Sequence, residues 1–366
     1  MGDLKEIVAG LRAEGAGYLH RLAEPVPIVR GREVLFVYHD PAASSVGLVH
    51  HVMGIPRAPR FERVGDGLFL LHMVLPDPAR LEYTFRRRNG TGRDEIVLDP
   101  GNPRTAACPF GLKSVAETAS YETPDCVPFR DGIERGVVEE HRIDSVAFGE
   151  ARAVSLYVPA RPPEFALLVH DGGDYRHFSD LIQTLDNLIA EDRMAPVVAA
   201  LTHPVWRNLE YSCTAPHADF MARDVLPWIR RRFDVRAAGL MGSSFGAVAS
   251  VYTAYRHGNL LDRLLLQSGS FIHQATAAPS IIEPVDEFDR IRLFLESEFF
   301  PNGFARRMRI YQSCGTFEPV LYNRSFAERM REAGHPILYR ESHDGHNWVS
   351  WRDHFGAALP YLFPGR

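Results

Sequence analysis

Residues 237–256 read AAGLMGSSFGAVASVYTAYR. The apolar run Ala237 to Met241 has the length of a buried strand, and Ala247 to Arg256 continues as a helix. Between them stands Gly242-Ser243-Ser244-Phe245-Gly246, a GxSxG pattern in the strand–turn–helix setting that a nucleophile elbow requires. Glycine at both flanks lets strand and helix approach closely. The turn lifts the Ser244 hydroxyl out of the top of the sheet, and the following helix presents its positive N-terminus to a developing anion. The Phe245 amide becomes an oxyanion donor by the same geometry. A Gly/Ser-rich turn without chemistry would also satisfy the bare pattern, but the flanking elements favour the nucleophile.

Working outward, the neighbouring segments alternate. Phe165 to His170, Pro196 to Leu201, Leu261 to Gln267, Arg307 to Cys314 and Pro336 to Glu341 read as strands, and Leu181 to Glu191 and Phe220 to Phe233 as helices. Strands alternating with helices imply an α/β fold, a mostly parallel sheet with helices on both faces. Val137 to Ser145 and Ala151 to Val158 read as a leading hairpin. The insertion Ile281 to Phe300 has a helical apolar period, which fits either a lid or ordinary packing.

The first half has another character. After an amphipathic opening (Leu4, Ile7, Val8, Leu11), short strands at Glu33 to Tyr38, Val46 to Val52, Gly67 to Leu75 and Arg80 to Arg86 are separated by Pro and Gly turns. This spacing is that of a β-sandwich. Pro100, Pro103, Pro109, Pro124 and Pro128 make Asp99 to Phe129 read as an extended linker. The expected domains are therefore residues 1–130, a sandwich with its linker, and residues 131–366, the α/β part.

Composition narrows the function. The chain has 366 residues, 45% hydrophobic and 24% charged, which are globular values. A net charge of −5, without a long basic block, argues against a nucleic-acid partner. The four cysteines form no CxxC pair and no zinc spacing. The opening segment Met1 to Gly17 is charged, and no apolar run approaches the roughly 18 residues of a membrane span, so the cytoplasm is the expected location.

A serine nucleophile needs a base, and the base an orienting acid, in the chain order Ser, acid, His. Downstream of Ser244 lie His257, His273, His335, His343, His346 and His354. His346 follows the last strand, beside Gly345 and before Trp348, and suits the base. Glu318 follows the strand ending near Cys314 and suits the acid. Asp344 is the second candidate, and Asp286 and Asp289 belong to the insertion. His343 and His346 alone make a poor metal site, and no metal is expected. Asp171-Gly172-Gly173 follows FALLVH and fits the second oxyanion loop. Tyr175, Trp348, Trp351 and Arg352 flank these loops and are candidates for substrate contact. Arg207 and Glu210 read as an internal ion pair.

Several motifs in register resemble the esterase D-like proteins of the α/β-hydrolase superfamily, above all the enterochelin (enterobactin) esterase group. They are LLVHDGGDY, TLDNLIAE, NLEY, VLPWIRRRFDV, GLMGSSFGAVAS, LLLQSGSF, CGTFEP and DGHNWVSWRDHF. FVYHDP, LEYTF and Leu98 to Val115 resemble the immunoglobulin-like sandwich that precedes the hydrolase domain in siderophore esterases. The resemblance implies Ser244 as nucleophile, His346 as base, Glu318 as acid and the amides of Gly172 or Gly173 and Phe245 as oxyanion donors. It implies no metal or organic cofactor and a small-molecule carboxylic ester as substrate, such as an enterobactin-type siderophore trilactone. The segment NWVSWRDHF differs from the siderophore enzymes, which leaves feruloyl, acetyl or other acyl esters as alternatives. A catalytically degenerate ligand-binding scaffold is the reading from outside enzymology.

Overall fold

In β2 (Glu33–His39), successive side chains serve two cores, as the two-residue period of a strand demands. β1 is Ile28–Arg30, and β3 (Ala43–Val49), β4 (Glu62–Arg63), β5 (Leu68–Val74), β6 (Arg80–Asn89), β7 (Asp94–Val97), β8 (Thr105–Cys108) and β9 (Gly111–Glu117) follow. One antiparallel sheet runs β1-β2-β5-β4, and a second runs β3-β6-β9-β8, with β7 paired to β6. Val34, Phe36 and Tyr38 of β2 meet Val46, Leu48, Leu81, Tyr83 and Phe85 in the core that the two sheets share. Leu35 and Val37 point the other way, onto Leu4, Ile7 and Leu11 of the helix Leu4–Glu14. A strand buried on both faces explains the unbroken apolar run in EVLFVYH. The structure is a computed structural model, and it describes residues 3–22, 24–52, 59–273 and 286–365.

The Asp99 to Phe129 stretch is more regular than the linker reading allowed. It contains β8 and β9, paired with Cys108 opposite Gly111. Pro109 and Phe110 form the connecting turn, a place where proline's fixed φ is an asset. Pro109 punctuates a hairpin.

The second half forms one eight-stranded sheet. Its strands are β10 (Val137–Ser145), β11 (Glu150–Val158), β12 (Phe165–Val169), β13 (Val197–Thr202), β14 (Ala237–Ser243), β15 (Arg263–Gln267), β16 (Arg309–Gly315) and β17 (Ile337–Ser342). Their spatial order is β10-β11-β13-β12-β14-β15-β16-β17. The β10–β11 hairpin and the β11–β13 pair are antiparallel, and β13-β12-β14-β15-β16 are parallel. β12 and β13 are buried along their whole length, as parallel strands covered on both faces are. The chain leaves β12 for β13 on one side and reaches β14 on the other. Ligands in such sheets bind outside the strand carboxyl ends at this switch point.

Two helical expectations change in detail. Phe220 to Phe233 is interrupted: a helix Ala215–Asp219, a π-helical stretch Phe220–Val225 and a helix Leu226–Arg230 run in succession. Pro227 lacks the N–H that a continuous α ladder would use there. In the insertion, residues 281–285 lie outside the described residues. Its helix Asp286–Leu293 and the π-helical stretch Phe294–Phe299 pack inward through Ile291, Phe294, Leu295 and Phe299. Phe288 meets Phe245 edge-on at 5.1 Å.

The chain divides into two compact units. One comprises Met1–Glu122 with Gly315–Glu318 and Ser342–Asn347, and the other Thr123–Cys314, Pro319–Glu341 and Trp348–Arg366. No helix among the described residues is long and apolar enough to cross a membrane.

Candidate active site

Ser244 has φ 56° and ψ −121°, a left-handed conformation that a non-glycine residue adopts only under constraint. Such strain costs on the order of 1–3 kcal/mol and is held by its surroundings. The Ser244 amide donates to the Gln267 carbonyl at 2.9 Å, and its carbonyl accepts from Ser270 and Ala247. Its hydroxyl lies 3.3 Å from that of Ser270. A Cβ on Gly242 would stand 2.4 Å from the Gly246 carbonyl carbon, so the turn closes only around glycine. The helix Phe245–Arg256 begins immediately after the serine and aims its free amides at the same point.

The neighbouring strand supplies the second loop. β12 pairs in parallel with β14, and Asp171 (φ 53°) turns the chain into a helix at Gly172–Phe178. A Cβ on Gly172 would meet Leu201 at 2.3 Å. Asp171 is fixed by two 2.7 Å bonds from Arg207, and its amide donates to the Tyr211 hydroxyl at 2.9 Å. Below the elbow His170 is fully buried, with Nδ1 3.0 Å from the Met241 carbonyl and 3.1 Å from the Ser250 hydroxyl. Burial, with His217 nearby, pushes its pKa well below the usual value, so the ring is neutral.

Glu318 and His346 are joined. Glu318 Oε2 stands 2.7 Å from His346 Nδ1, and Glu318 Oε1 accepts from the Gly315 amide at 2.9 Å. The carboxylate is buried, while the imidazole side chain is 41% exposed. A carboxylate on Nδ1 fixes the tautomer whose Nε2 can accept a proton. Asp344 takes another place. Its carboxylate accepts from Asn347 Nδ2 and the Gly345 amide, each at 2.7 Å, and faces Arg80 at 3.5 Å. Burial raises its pKa to about 7, against the opposing effect of Arg80. His343 Nδ1 lies 2.9 Å from the Thr316 hydroxyl, so the two histidines of HxxH have separate partners.

The flanking candidates have internal partners. Tyr175 is fully buried, donates to Gln267 Oε1 at 2.9 Å and meets the Trp348 ring at 5.0 Å. Trp351 donates its indole N–H to Ser268 Oγ at 2.9 Å. Arg352 pairs with Asp353 and Asp180. The expected Arg207–Glu210 pair is corrected: Arg207 serves Asp171, and Glu210 binds buried Arg152 through two 2.7 Å contacts. Burial alone would raise Glu210, but His217 at 3.5 Å and hydrogen bonds from Arg152 and two amides hold it at about 2. Those amides belong to Val205 and Trp206, each 2.9 Å from Glu210 Oε1. They fix the loop after β13, on which Trp206 is 72% exposed. Sequence reasoning missed Trp206 and Arg80, and it placed Asp171 in the oxyanion loop without its Arg207 partner. The exposed Trp206 in HPVWRN was the one legible signal among them.

The strained serine turn and the glycine loop stand at the carboxyl ends of neighbouring parallel strands in a mixed α/β sheet. The family described as "Putative esterase" matches residues 145–362, more than half of the chain, and the chain belongs to it. It is a carboxylic ester hydrolase. The fold is similar to the enterochelin esterase of Shigella flexneri (TM-score 0.72, 17% identity, 96% of this chain and 98% of that one). It is also similar to the ferric enterobactin esterase of Salmonella typhimurium (TM-score 0.72, 18% identity, 90% and 93%). A ferulic acid esterase matches over 63% of this chain and 98% of its own (TM-score 0.51, 17% identity). A comparison with curated proteins found no match.

Proposed function

We propose that Ser244, His346 and Glu318 act as the catalytic triad of this serine esterase. The observation that carries this is the 2.7 Å contact between Glu318 and His346 Nδ1. Ser244 Oγ attacks the ester carbonyl as His346 Nε2 takes its proton, and Glu318 stabilises the imidazolium. The amides of Phe245 and of Gly172 or Gly173 hold the oxyanion. His346 then protonates the leaving alkoxide. Water, deprotonated by His346, attacks the acyl-enzyme, and as the acid leaves His346 returns that proton to Ser244 Oγ.

The substrate we favour is an enterobactin-type trilactone, with feruloyl or acetyl esters as the alternative. Support comes from the length of the match to the two siderophore-esterase structures, which spans both halves of the chain. The paired antiparallel sheets of the first half are in keeping with an immunoglobulin-like sandwich. Four cysteines outside any disulfide suit the reducing cytoplasm.

Hydrolysis of p-nitrophenyl acetate, a feruloyl ester and apo- and ferric trilactones, by the parent and Ser244→Ala side by side, tests this. Ser244-dependent cleavage with the trilactone preferred supports the full reading. Cleavage of simple esters alone removes the siderophore and keeps the triad. Turnover that survives in Ser244→Ala overturns the triad.

A further inference from the structure

Arg80 opens β6, and its side chain is almost fully buried at 3% exposure. A buried guanidinium must be surrounded by acceptors. Arg80 Nη1 lies 3.0 Å from Glu82, 3.5 Å from Asp344 and 3.3 Å from Asn347 Oδ1, and Nε lies 3.9 Å from Glu117. Its backbone amide donates to the His343 carbonyl at 3.0 Å. Arg80 therefore grips residues 343, 344 and 347, on both sides of His346.

The acid loop is tied to the same cluster. The Phe317 amide donates to the Asp344 carbonyl at 3.1 Å, and the Thr316 amide to the Ser342 carbonyl at 2.8 Å. The Phe317 ring is buried in the core between the two antiparallel sheets. Leu81 and Phe317 line one small cavity with His346 and Asn347. Replacing a buried ion pair by apolar groups is often neutral or stabilising, so the cluster is a costly way to gain stability alone. What it does supply is a fixed turn from His343 to Asn347.

We infer that Arg80 is a positioning residue for the base: through Asp344, Asn347 and the His343 carbonyl it holds the turn that presents His346. This rests on His346 being the base, as proposed above. Arg80 touches no reacting atom in this account. Its effect is on how often His346 is correctly placed, so it belongs to kcat more than to substrate binding.

The test compares Arg80→Met, Arg80→Lys and the double variant Arg80→Met/Asp344→Asn with the parent and with Ser244→Ala. Melting temperature, kcat and KM for p-nitrophenyl acetate and the rate of fluorophosphonate labelling are measured for each. Arg80→Met leaves Asp344 buried without its partner and is the variant most exposed to folding loss. The double variant removes both charges. The expected result is a folded double variant with kcat lower by about 10–100-fold, KM unchanged and labelling slowed by a similar factor. Arg80→Lys recovers part of the loss. A folded double variant with parental kcat and labelling overturns the inference, and so does unfolding of every variant, which would make Arg80 purely structural. Full activity in Ser244→Ala would instead overturn the triad on which the inference depends.

Discussion

At the scale of single residues, the site rests on which carboxylate meets which nitrogen. Glu318 and Asp344 are both buried, yet Glu318 alone of the two stands 2.7 Å from His346 Nδ1. Glu318→Gln keeps the shape and offers the imidazole a neutral amide. Steady-state kinetics on p-nitrophenyl acetate should show kcat lower by on the order of 10⁴-fold in that variant, with the fold intact. A loss smaller than about tenfold would remove Glu318 from the triad. Asp344 is legible through pH instead. Its pKa is raised by burial to about 7 from an ordinary 3.8. The folded state therefore holds the proton more tightly, and the stabilisation this gives is complete below the unfolded value and lost as pH rises through about 7. Relative to the parent, Asp344→Asn should gain melting temperature as pH is raised from about 4 to about 7, the window those two values set. A difference independent of pH would contradict the shift.

At the scale of elements, the turns set the local geometry. Gly242→Ala would push a Cβ to 2.4 Å from the Gly246 carbonyl carbon. The turn must open, at a cost of about 1–3 kcal/mol, and Ser244 labelling should fall steeply while far-ultraviolet circular dichroism is unchanged. The loop after β13 presents Trp206 from a backbone anchored on Glu210, beside Arg207 and its partner Asp171. An exposed indole on a rigid loop offers a face for an aryl group. Trp206→Ala should raise KM for a feruloyl ester several-fold and leave acetyl ester kinetics unchanged. Equal effects on both would deny the loop a part in selection.

How far these elements were legible follows from their physics. The elbow, the glycine loop and the strands β12 to β17 were readable, because a buried parallel strand is a short apolar run and its carboxyl-end loop is marked by glycine. The hairpin β8–β9 was not, because Pro109 in a turn and proline in a linker look alike in sequence. Nor was the Arg207–Asp171 pair, since sequence neighbours such as Glu210 conceal partners 36 positions away. A buried arginine such as Arg80 leaves no local mark at all.

At the scale of the whole molecule, the linear halves and the compact units differ. The loops with Glu318 and His346 come from the second half of the chain, yet they group with the first unit. Phe317, next to Glu318, is part of the same core as Phe36, Tyr83 and Phe85. Phe36→Ala removes a fully buried ring that meets Tyr83 edge-on at 4.9 Å. It should cost about 3–5 kcal/mol in urea denaturation, and a loss under about 1 kcal/mol would show that this core relaxes freely. In the proposed triad one serine, activated by one imidazole, carries the chemistry. Labelling the intact protein with a fluorophosphonate and mapping the adduct by peptide mass spectrometry tests it most directly. A single adduct on Ser244 is expected, lost in Ser244→Ala and strongly slowed in His346→Ala. An adduct on another residue, or labelling of Ser244 at the parental rate without His346, would contradict it.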